Sequence, residues 1–418
     1  MLQTHPLILF RNFRIFFLGR VISAVGDKFF TIALSWWVVS QGGSNNRLHL
    51  GILLAISTLP IILFGPFMGT LADRYNKKYC MMAADGMRGL LIGGLAFLAF
   101  SNQLSLTVLY PICFALYFFM PLFESSANSS LEALTDREHL STAAAVNSSV
   151  VQFSNIVGAG LGGAFLAFLG TTGAFTVNAL SFGLSFLCLS LLPTAIFHST
   201  VEVKQSYFAQ FKEVFSYLRK ARAIASMLLV FGLINFFFTP LFLFIPMVVK
   251  DTLKAAVSWV AVFEVTLACG AVMTSMLLSF LPRGREHLRI FAGVLIIGLS
   301  LLSFALCQPR WLLAASLFFC GSGMALVNAA AFSLFQNEIP PDIRGRFFAV
   351  LTTIAYSVMP ISFALNGALA QFSSLANALL INAGGVIVLS FVIFKLPDPV
   401  HSQENLQQDH PPTPLGEP

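Results

Sequence analysis

The chain has 418 residues, of which 57% are hydrophobic and only 10% are charged, and its mean hydropathy is +0.81. A water-soluble domain carries roughly 25% charged residues, so this composition excludes a soluble globule of this size. The formal net charge of +6 does not indicate nucleic-acid binding, because the Lys and Arg residues lie in short segments between apolar runs. That distribution is typical of a membrane protein with many spans.

Apolar runs of about 20 residues recur along the whole chain, and each is long enough to cross the hydrocarbon core of a bilayer. Backbone groups in lipid must satisfy their own hydrogen bonds, so these runs predict helices; a barrel would alternate apolar and polar residues. The predicted fold class is an all-α integral membrane protein with twelve transmembrane helices. The predicted spans are 13–40, 49–71, 79–101, 104–126, 142–168, 173–195, 222–249, 256–281, 288–307, 310–336, 345–370 and 374–395.

The basic residues predict the orientation of the chain. An even number of spans places both termini on one side, and most of the 24 Lys and Arg residues fall in segments on that side. Only four fall in segments on the other side: Arg47, Lys250, Lys254 and Arg310. Because basic loops stay in the cytoplasm, both termini are predicted to be cytoplasmic, in a multi-pass protein of a bacterial inner membrane.

Four regions follow from the alternation of apolar and polar segments. Residues 1–195 are predicted to form an N-terminal six-helix bundle and residues 222–396 a C-terminal one. The polar stretch 196–221 between them has apolar residues at three- and four-residue steps, which predicts an amphipathic helix on the cytoplasmic surface. The Pro-rich polar tail 397–418 is predicted to be disordered.

The two halves of the sequence share a repeated feature. Asp136 and Asp342 lie 206 positions apart, each in the loop before the fifth helix of its half. Parallel repeats of six helices are one way in which transporters are built. The sequence therefore predicts two six-helix pseudo-repeats.

Residues 69–78 read Gly-Thr-Leu-Ala-Asp-Arg-Tyr-Asn-Lys-Lys and join the second and third predicted helices. This segment resembles the signature loop of the major facilitator superfamily. Other elements are similar to the branch that holds macrolide-efflux proteins and the enterobactin exporter: Ser23 to Asp27, Asp85 to Arg88, Asn235 with Pro240 and Pro246, and Pro340 to Arg346.

The resemblance spans about residues 10–396. It implies two bundles that rock about a central cavity, as a rocker switch, and a secondary transporter that exports a small amphiphilic compound, such as a drug or a siderophore, by proton antiport. A lipid or lysophospholipid flippase on the same fold is the alternative. The implied partners are the substrate, protons and the lipid bilayer, with the protein acting as a monomer.

The signature loop predicts a gate. Gly69 is expected to allow two helices to approach closely, and the carboxylate of Asp73 to accept charge-assisted hydrogen bonds. Asp85 and Arg88 are spaced i,i+3, so they are expected to pair on one helix face and to form a latch with the loop. The predicted gating residues are Gly69, Asp73, Arg74, Lys77, Lys78, Asp85 and Arg88.

Charged groups inside the apolar runs are costly in lipid and therefore predict a cavity or a partner. Asp27 and Glu264 are the candidates for proton coupling, with structural pairing as the alternative for each. Lys28 points about 100° away from Asp27 around the helix, so it is not expected to neutralise that carboxylate. The candidates for the substrate cavity are Arg20, Glu124 and Asn235.

The sequence contains no His, Cys and carboxylate spacing of a metal site, no hydrolase triad and no phosphate-binding Gly-rich loop. No metal, cofactor, nucleic acid or enzymatic activity is therefore predicted. Energy should come from an ion gradient or from the gradient of the substrate. A membrane enzyme or receptor would need a catalytic cluster or a large soluble domain. The identity of the substrate does not follow from the fold.

Overall fold

A computed structural model describes the chain over most of its length, and within these residues every long element is helical. The described residues are 5–41, 43, 45–197, 207–280 and 284–396. The predicted disordered tail, 397–418, lies outside them.

The first half of the chain contains eight α-helices. Their bounds are Pro6–Leu9 (α1), Arg11–Ser40 (α2), Asn46–Arg74 (α3), Lys77–Phe100 (α4), Leu106–Ser129 (α5), Leu131–Leu134 (α6), Leu140–Phe153 (α7) and Ala159–Ser190 (α8). A π-helical turn, Ser154–Gly158, joins α7 to α8 without a break. Such turns are rare and are often found at functional sites.

Helix α8 reverses its direction at Gly170, between the predicted spans 142–168 and 173–195. Gly170 has a φ of 66°, in the left-handed region that favours glycine. Before it, Gly162 packs against Phe29 of α2; after it, Phe175 packs against Phe30. The residues from Gly162 to Gly170 therefore run parallel to α2, and the residues after Gly170 run back beside it.

The second half also contains eight α-helices. Their bounds are Tyr207–Lys220 (α9), Arg222–Phe238 (α10), Leu241–Met247 (α11), Ser258–Leu278 (α12), Glu286–Leu306 (α13), Arg310–Glu338 (α14), Pro341–Phe372 (α15) and Leu375–Lys395 (α16). The predicted continuous helix 222–249 is interrupted between α10 and α11, because Pro240 cannot donate a backbone hydrogen bond. A π-helical turn, Val248–Thr252, follows α11.

Ten helical stretches of the described chain are long and apolar enough to cross a membrane. One of them, Leu140–Ser190, has 51 residues and contains the reversal at Gly170. Helix α2 is not among the ten, and it carries three charged residues in its middle, Arg20, Asp27 and Lys28. The predicted all-α membrane class is confirmed, whereas the number of twelve spans stays a prediction.

The helices pack as two bundles with the same internal pairing. We call α2 to α8 the N-bundle and α10 to α16 the C-bundle. In the N-bundle α3 packs on α5 and α4 packs on α8; in the C-bundle α12 packs on α14 and α13 packs on α16. Helix α9 lies against α10 and α15, with Val214 and Leu218 buried. The predicted domain boundaries stay predictions.

The main contacts between the bundles are those of α3 with α15 and of α8 with α12. We call the face that carries the turn between α3 and α4 the loop face, and the opposite face the far face. Near the far face, a Cβ on Gly51 would lie 2.7 Å from the Cα of Gly367, so only glycine allows this approach. Arg47 pairs with Asp251 at 2.8 Å on the same side. The bundles are thus closed together at the far face.

Candidate functional site

A cavity of about 660 Å³ lies between the bundles, on the loop-face side of the contact between Gly51 and Gly367. We call it the central cavity. Residues of α3, α5 and α15 line it, and most of the wall is apolar. The polar groups at the wall come from Glu124, Ser125, Asn128, Thr352, Thr353 and Tyr356. Mostly apolar walls with a few polar groups are typical of sites for small organic molecules.

A second cavity of about 290 Å³ lies inside the N-bundle, next to the central cavity, and Met120 and Glu124 line both. We call it the charged recess. Its wall includes four charged residues of α2 and α4: Arg20, Asp27, Lys28 and Arg88. These charges sit in the middle of apolar helices, where an unpaired charge is costly, so the partner of each decides its role.

Arg20 and Glu124 form an ion pair at the boundary of the two cavities. The distance from Nη2 to Oε2 is 2.8 Å, and the Arg20 side chain is only 6% exposed, whereas Glu124 is 38% exposed. The Arg20 guanidinium also lies 5.6 Å from the ring centre of Phe123. The structure therefore brings these two candidate cavity residues together and leaves the carboxylate accessible from the central cavity.

Asp27 is paired with Arg88 rather than standing alone. Arg88 donates from Nη2 to Asp27 Oδ2 at 2.7 Å, and its guanidinium lies 4.3 Å from the ring centre of Phe182. Asn178 also donates to the second carboxylate oxygen, at 3.4 Å. Asp27 is 33% exposed to the charged recess, so water can reach its carboxylate.

The pairing of Arg88 corrects the predicted latch. Asp85 is 1% exposed and accepts a hydrogen bond of 2.6 Å from Ser185 of α8, while Arg88 turns to α2. The two side chains therefore take different partners, Ser185 of α8 for Asp85 and Asp27 of α2 for Arg88. Both contacts lie within the N-bundle, and the gating role of Asp85 and Arg88 stays a prediction.

Lys28 and Glu264 form an ion pair between the bundles, from α2 to α12. The distance from Nζ to Oε2 is 2.6 Å, and the side chains are 17% and 11% exposed. A Cβ on Gly158, in the π-helical turn, would lie 2.8 Å from the Cβ of Lys28, so the missing side chain makes room for the lysine. The sequence indicates Glu264 as a candidate but does not indicate Lys28 as its partner, because the two residues are far apart in the chain.

The signature loop packs mainly within the N-bundle. Lys77 donates to the carbonyl of Ser129 at 2.9 Å, and Lys78 donates to the carbonyls of Ser190 and Leu192 at 2.9 and 2.6 Å. These lysines thus satisfy carbonyl groups at and just beyond the C-terminal ends of α5 and α8.

Two further predictions concern Gly69 and the pair Asp73 and Arg74, and their outcomes differ. A Cβ on Gly69 would meet Ser125 at 3.7 Å, an ordinary contact, so the expected close approach at Gly69 is wrong for this conformation. The close approach is made by Gly51 instead. Asp73 is half-buried and Arg74 is exposed, and their gating role stays a prediction.

Asn235 was expected at the substrate cavity, and its side chain instead donates to the carbonyl of Phe231, within α10, at 2.9 Å. It is not among the residues that line the central cavity or the charged recess. Within the described residues, no three His, Cys, Asp or Glu side chains are placed to hold a metal ion.

Two bundles with matching internal pairing, a cavity between them and the loop at 69–78 fit the resemblance found in the sequence. The family described as transmembrane secretion effector matches residues 5–417. The chain belongs to the major facilitator superfamily. As a major facilitator protein it is a membrane transporter and not an enzyme, which confirms the class predicted from the sequence.

Several curated major facilitator proteins are similar to the chain. It is 26% identical to the uncharacterized MFS-type transporter YfiS of Bacillus subtilis over 90% of both chains. It is 21% identical to macrolide efflux protein A of Streptococcus pyogenes, over 90% of this chain and 93% of that one. The enterobactin exporter EntS of Citrobacter koseri is 23% identical, over 95% and 93%.

The fold is also that of solved transporters. The crystal structure of the nucleoside transporter NupG superposes with a TM-score of 0.75 over 92% of this chain and 99% of that one, at 13% identity. At this identity the similarity shows the fold alone. It supports a major facilitator architecture for the two bundles.

Proposed function

We propose that the chain is a secondary active transporter that exports a small amphiphilic organic compound, a drug or a siderophore, from a bacterial cell. The observation that carries this proposal is the central cavity, which lies between the bundles on the loop-face side of a closed inter-bundle contact. A cavity of this size fits a small organic molecule. Alternating access then requires the contact at Gly51 and Gly367 to open while the loop face closes.

Export as the direction of transport is supported by the relatives, whose names describe efflux of macrolides and export of enterobactin. The predicted orientation, with both termini in the cytoplasm, makes the loop face the inner side, so this conformation faces inward and accepts substrate from the cell. A reporter that is active only in the cytoplasm is expected to be active when it is fused after Lys395. Activity of a reporter that works only in the periplasm, fused at the same place, would reverse the assignment.

The wall of the central cavity suits an amphiphilic substrate. Most of it is apolar, from residues such as Ile61 and Met120, and its charged residue is Glu124, which pairs with Arg20 at the boundary with the charged recess. A cationic amine can replace Arg20 at the exposed carboxylate, and an anionic group can replace Glu124 at the guanidinium. The pair thus offers a partner to a substrate of either charge.

The ion pair between Lys28 and Glu264 supports proton coupling. It crosses from bundle to bundle, so it must break if the bundles separate at that level. A proton on Glu264 removes the attraction and therefore favours the separated, outward-facing state. Glu264 would take up a proton from outside while the pair is separated and release it inside as the pair with Lys28 forms again. This inward flow of protons would drive export, with Asp27 as a second carboxylate that protons can reach.

The apolar wall also favours the alternative, a lipid or lysophospholipid flippase, and one assay separates the two functions. Proteoliposomes with an imposed pH gradient receive a radiolabelled macrolide or catechol siderophore in the outer medium as probe. We expect uphill accumulation of at least one probe that collapses when an ionophore removes the gradient. Movement of a labelled phospholipid from one leaflet to the other, with neither probe transported, would establish the flippase and contradict the proposal.

In the same assay Glu264→Gln keeps the shape of the side chain and removes its titration. We expect probe binding to persist while uphill accumulation falls to the level of downhill exchange, because protons no longer act on the pair with Lys28. Asp27→Asn tests the second carboxylate, and Glu132→Gln, in a surface pair with Arg137, is the control. Normal pH-driven accumulation by both Glu264→Gln and Asp27→Asn would rule out coupling at these residues.

A further inference from the structure

A third cavity, of about 610 Å³, lies on the C-bundle between α9, α10 and α15. We call it the α10 groove. It is separate from the central cavity, since α15 stands between them: Thr353 and Tyr356 face the central cavity, whereas Ile354 and Val358 face the groove.

The two ends of the α10 groove differ in chemistry. Arg219 of α9 and Arg222 at the start of α10 lie at one end, and both are exposed. In the part of the chain that the structure describes, neither guanidinium makes an ion pair. Nearby, Arg346 is already paired with Glu213. The two arginines therefore present uncompensated positive charge at the point where α10 begins.

The rest of the α10 groove is apolar and runs along a membrane-spanning stretch. Leu228, Leu229, Leu233 and Phe236 line it, within the span Arg222–Thr252. From Arg222 to Phe236 the helix rises about 21 Å. One leaflet contributes about half of a hydrocarbon core of ~30 Å, so the groove is long enough for an acyl chain with its headgroup at the arginines.

We propose that the α10 groove binds one acidic phospholipid of the leaflet on the loop-face side. Its phosphate would contact Arg219 and Arg222, and one acyl chain would lie along α10. Basic residues next to membrane spans attract acidic lipids, and the exposed Phe215 of α9 belongs to the same wall. The lipid would then support α15 from behind the central cavity.

Native mass spectrometry of the purified full-length protein tests this site, with equal amounts of phosphatidylglycerol and phosphatidylcholine added. We expect one phosphatidylglycerol to be retained in preference. Each arginine near an acidic headgroup strengthens binding by roughly a factor of five, so Arg219→Gln with Arg222→Gln should weaken binding about twenty-five-fold. The control is Lys212→Gln, an exposed residue of α9 outside the groove, which should keep the preference.

A second variant, Ala225→Trp, fills the groove without changing its charge. It should also lose the retained lipid; retention of phosphatidylglycerol by this variant would show that surface charge alone attracts it and would overturn the proposal. Equal retention of both lipids by the unaltered protein would overturn it too. Retention of a macrolide probe that needs both arginines, without retained phosphatidylglycerol, would assign the groove to the substrate path instead.

Discussion

Replacing Gly51 with alanine is expected to reduce transport about ten-fold or more while leaving both bundles folded. A Cβ at this position would lie 2.6 Å from the carbonyl oxygen of Phe363 and 2.7 Å from the Cα of Gly367, and neither backbone atom can rotate away. Overpacking of this kind costs about 1–3 kcal/mol, and each 1.4 kcal/mol shifts an equilibrium ten-fold. The cost applies only when the far face is closed, so the closed state loses population.

Transport in proteoliposomes and the unfolding temperature in detergent measure the two parts of this prediction. The control is Gly94→Ala in α4, where a Cβ would meet nothing within 4 Å. Alanine favours a helix more than glycine, so this variant should be at least as stable as the unaltered protein and fully active. Full transport by Gly51→Ala would show that the close approach of α3 and α15 is not needed.

Replacing Arg88 with methionine is expected to destabilise the N-bundle by about 2–3 kcal/mol, less than the ~3–5 kcal/mol of a fully buried ion pair, because water can reach the Asp27 carboxylate that remains. Arg88 is 5% exposed, and its loss leaves Asp27 without its cation. The double variant Asp27→Asn with Arg88→Met should be more stable than Arg88→Met alone, because it no longer holds that uncompensated carboxylate.

Chemical unfolding in detergent measures both variants. Arg137→Gln is the matched control, since Arg137 also pairs with a carboxylate at 2.7 Å but is 92% exposed. Surface pairs contribute about 0–1 kcal/mol, so this change should have little effect. Equal losses for Arg88→Met and Arg137→Gln would contradict a structural role for the buried pair.

The helical architecture could be predicted from the sequence because apolar length and turn residues act locally. The gap between the predicted spans 142–168 and 173–195 contains Gly170, where the chain reverses. The interruption of the predicted helix 222–249 was missed although Pro240 was noted. A proline in an apolar run signals either a kink or a break, and only packing decides which of the two forms.

The partners of the charged residues could not be predicted, because they depend on how helices are rotated and paired in space. The i,i+3 spacing favoured a pair between Asp85 and Arg88, but contacts with α2 and α8 outweigh that local option. For Lys28, the local sequence offers only its neighbour Asp27 as a partner to consider. Its actual partner, Glu264, comes from the other bundle, and no local pattern encodes that contact.

The same limit applies to the glycine that matters for closing the bundles. Gly69 stood out because it belongs to a recognisable motif, whereas Gly51 lies in an apolar run without any motif. The need for glycine at Gly51 arises only from the approach of α15, which belongs to the other half of the chain.

The central claim is that the far face must open during transport, and cross-linking that face tests it most directly. Arg47 and Asp251 are 2.8 Å apart at their charged atoms, so cysteines at these positions can be joined by a short bifunctional thiol reagent that dithiothreitol cleaves. The six native cysteines are first replaced, in a variant that still transports. We predict that the cross-linked protein does not transport and that dithiothreitol restores the rate of the untreated double variant. Transport at the full rate with the cross-link in place would contradict alternating access through this face.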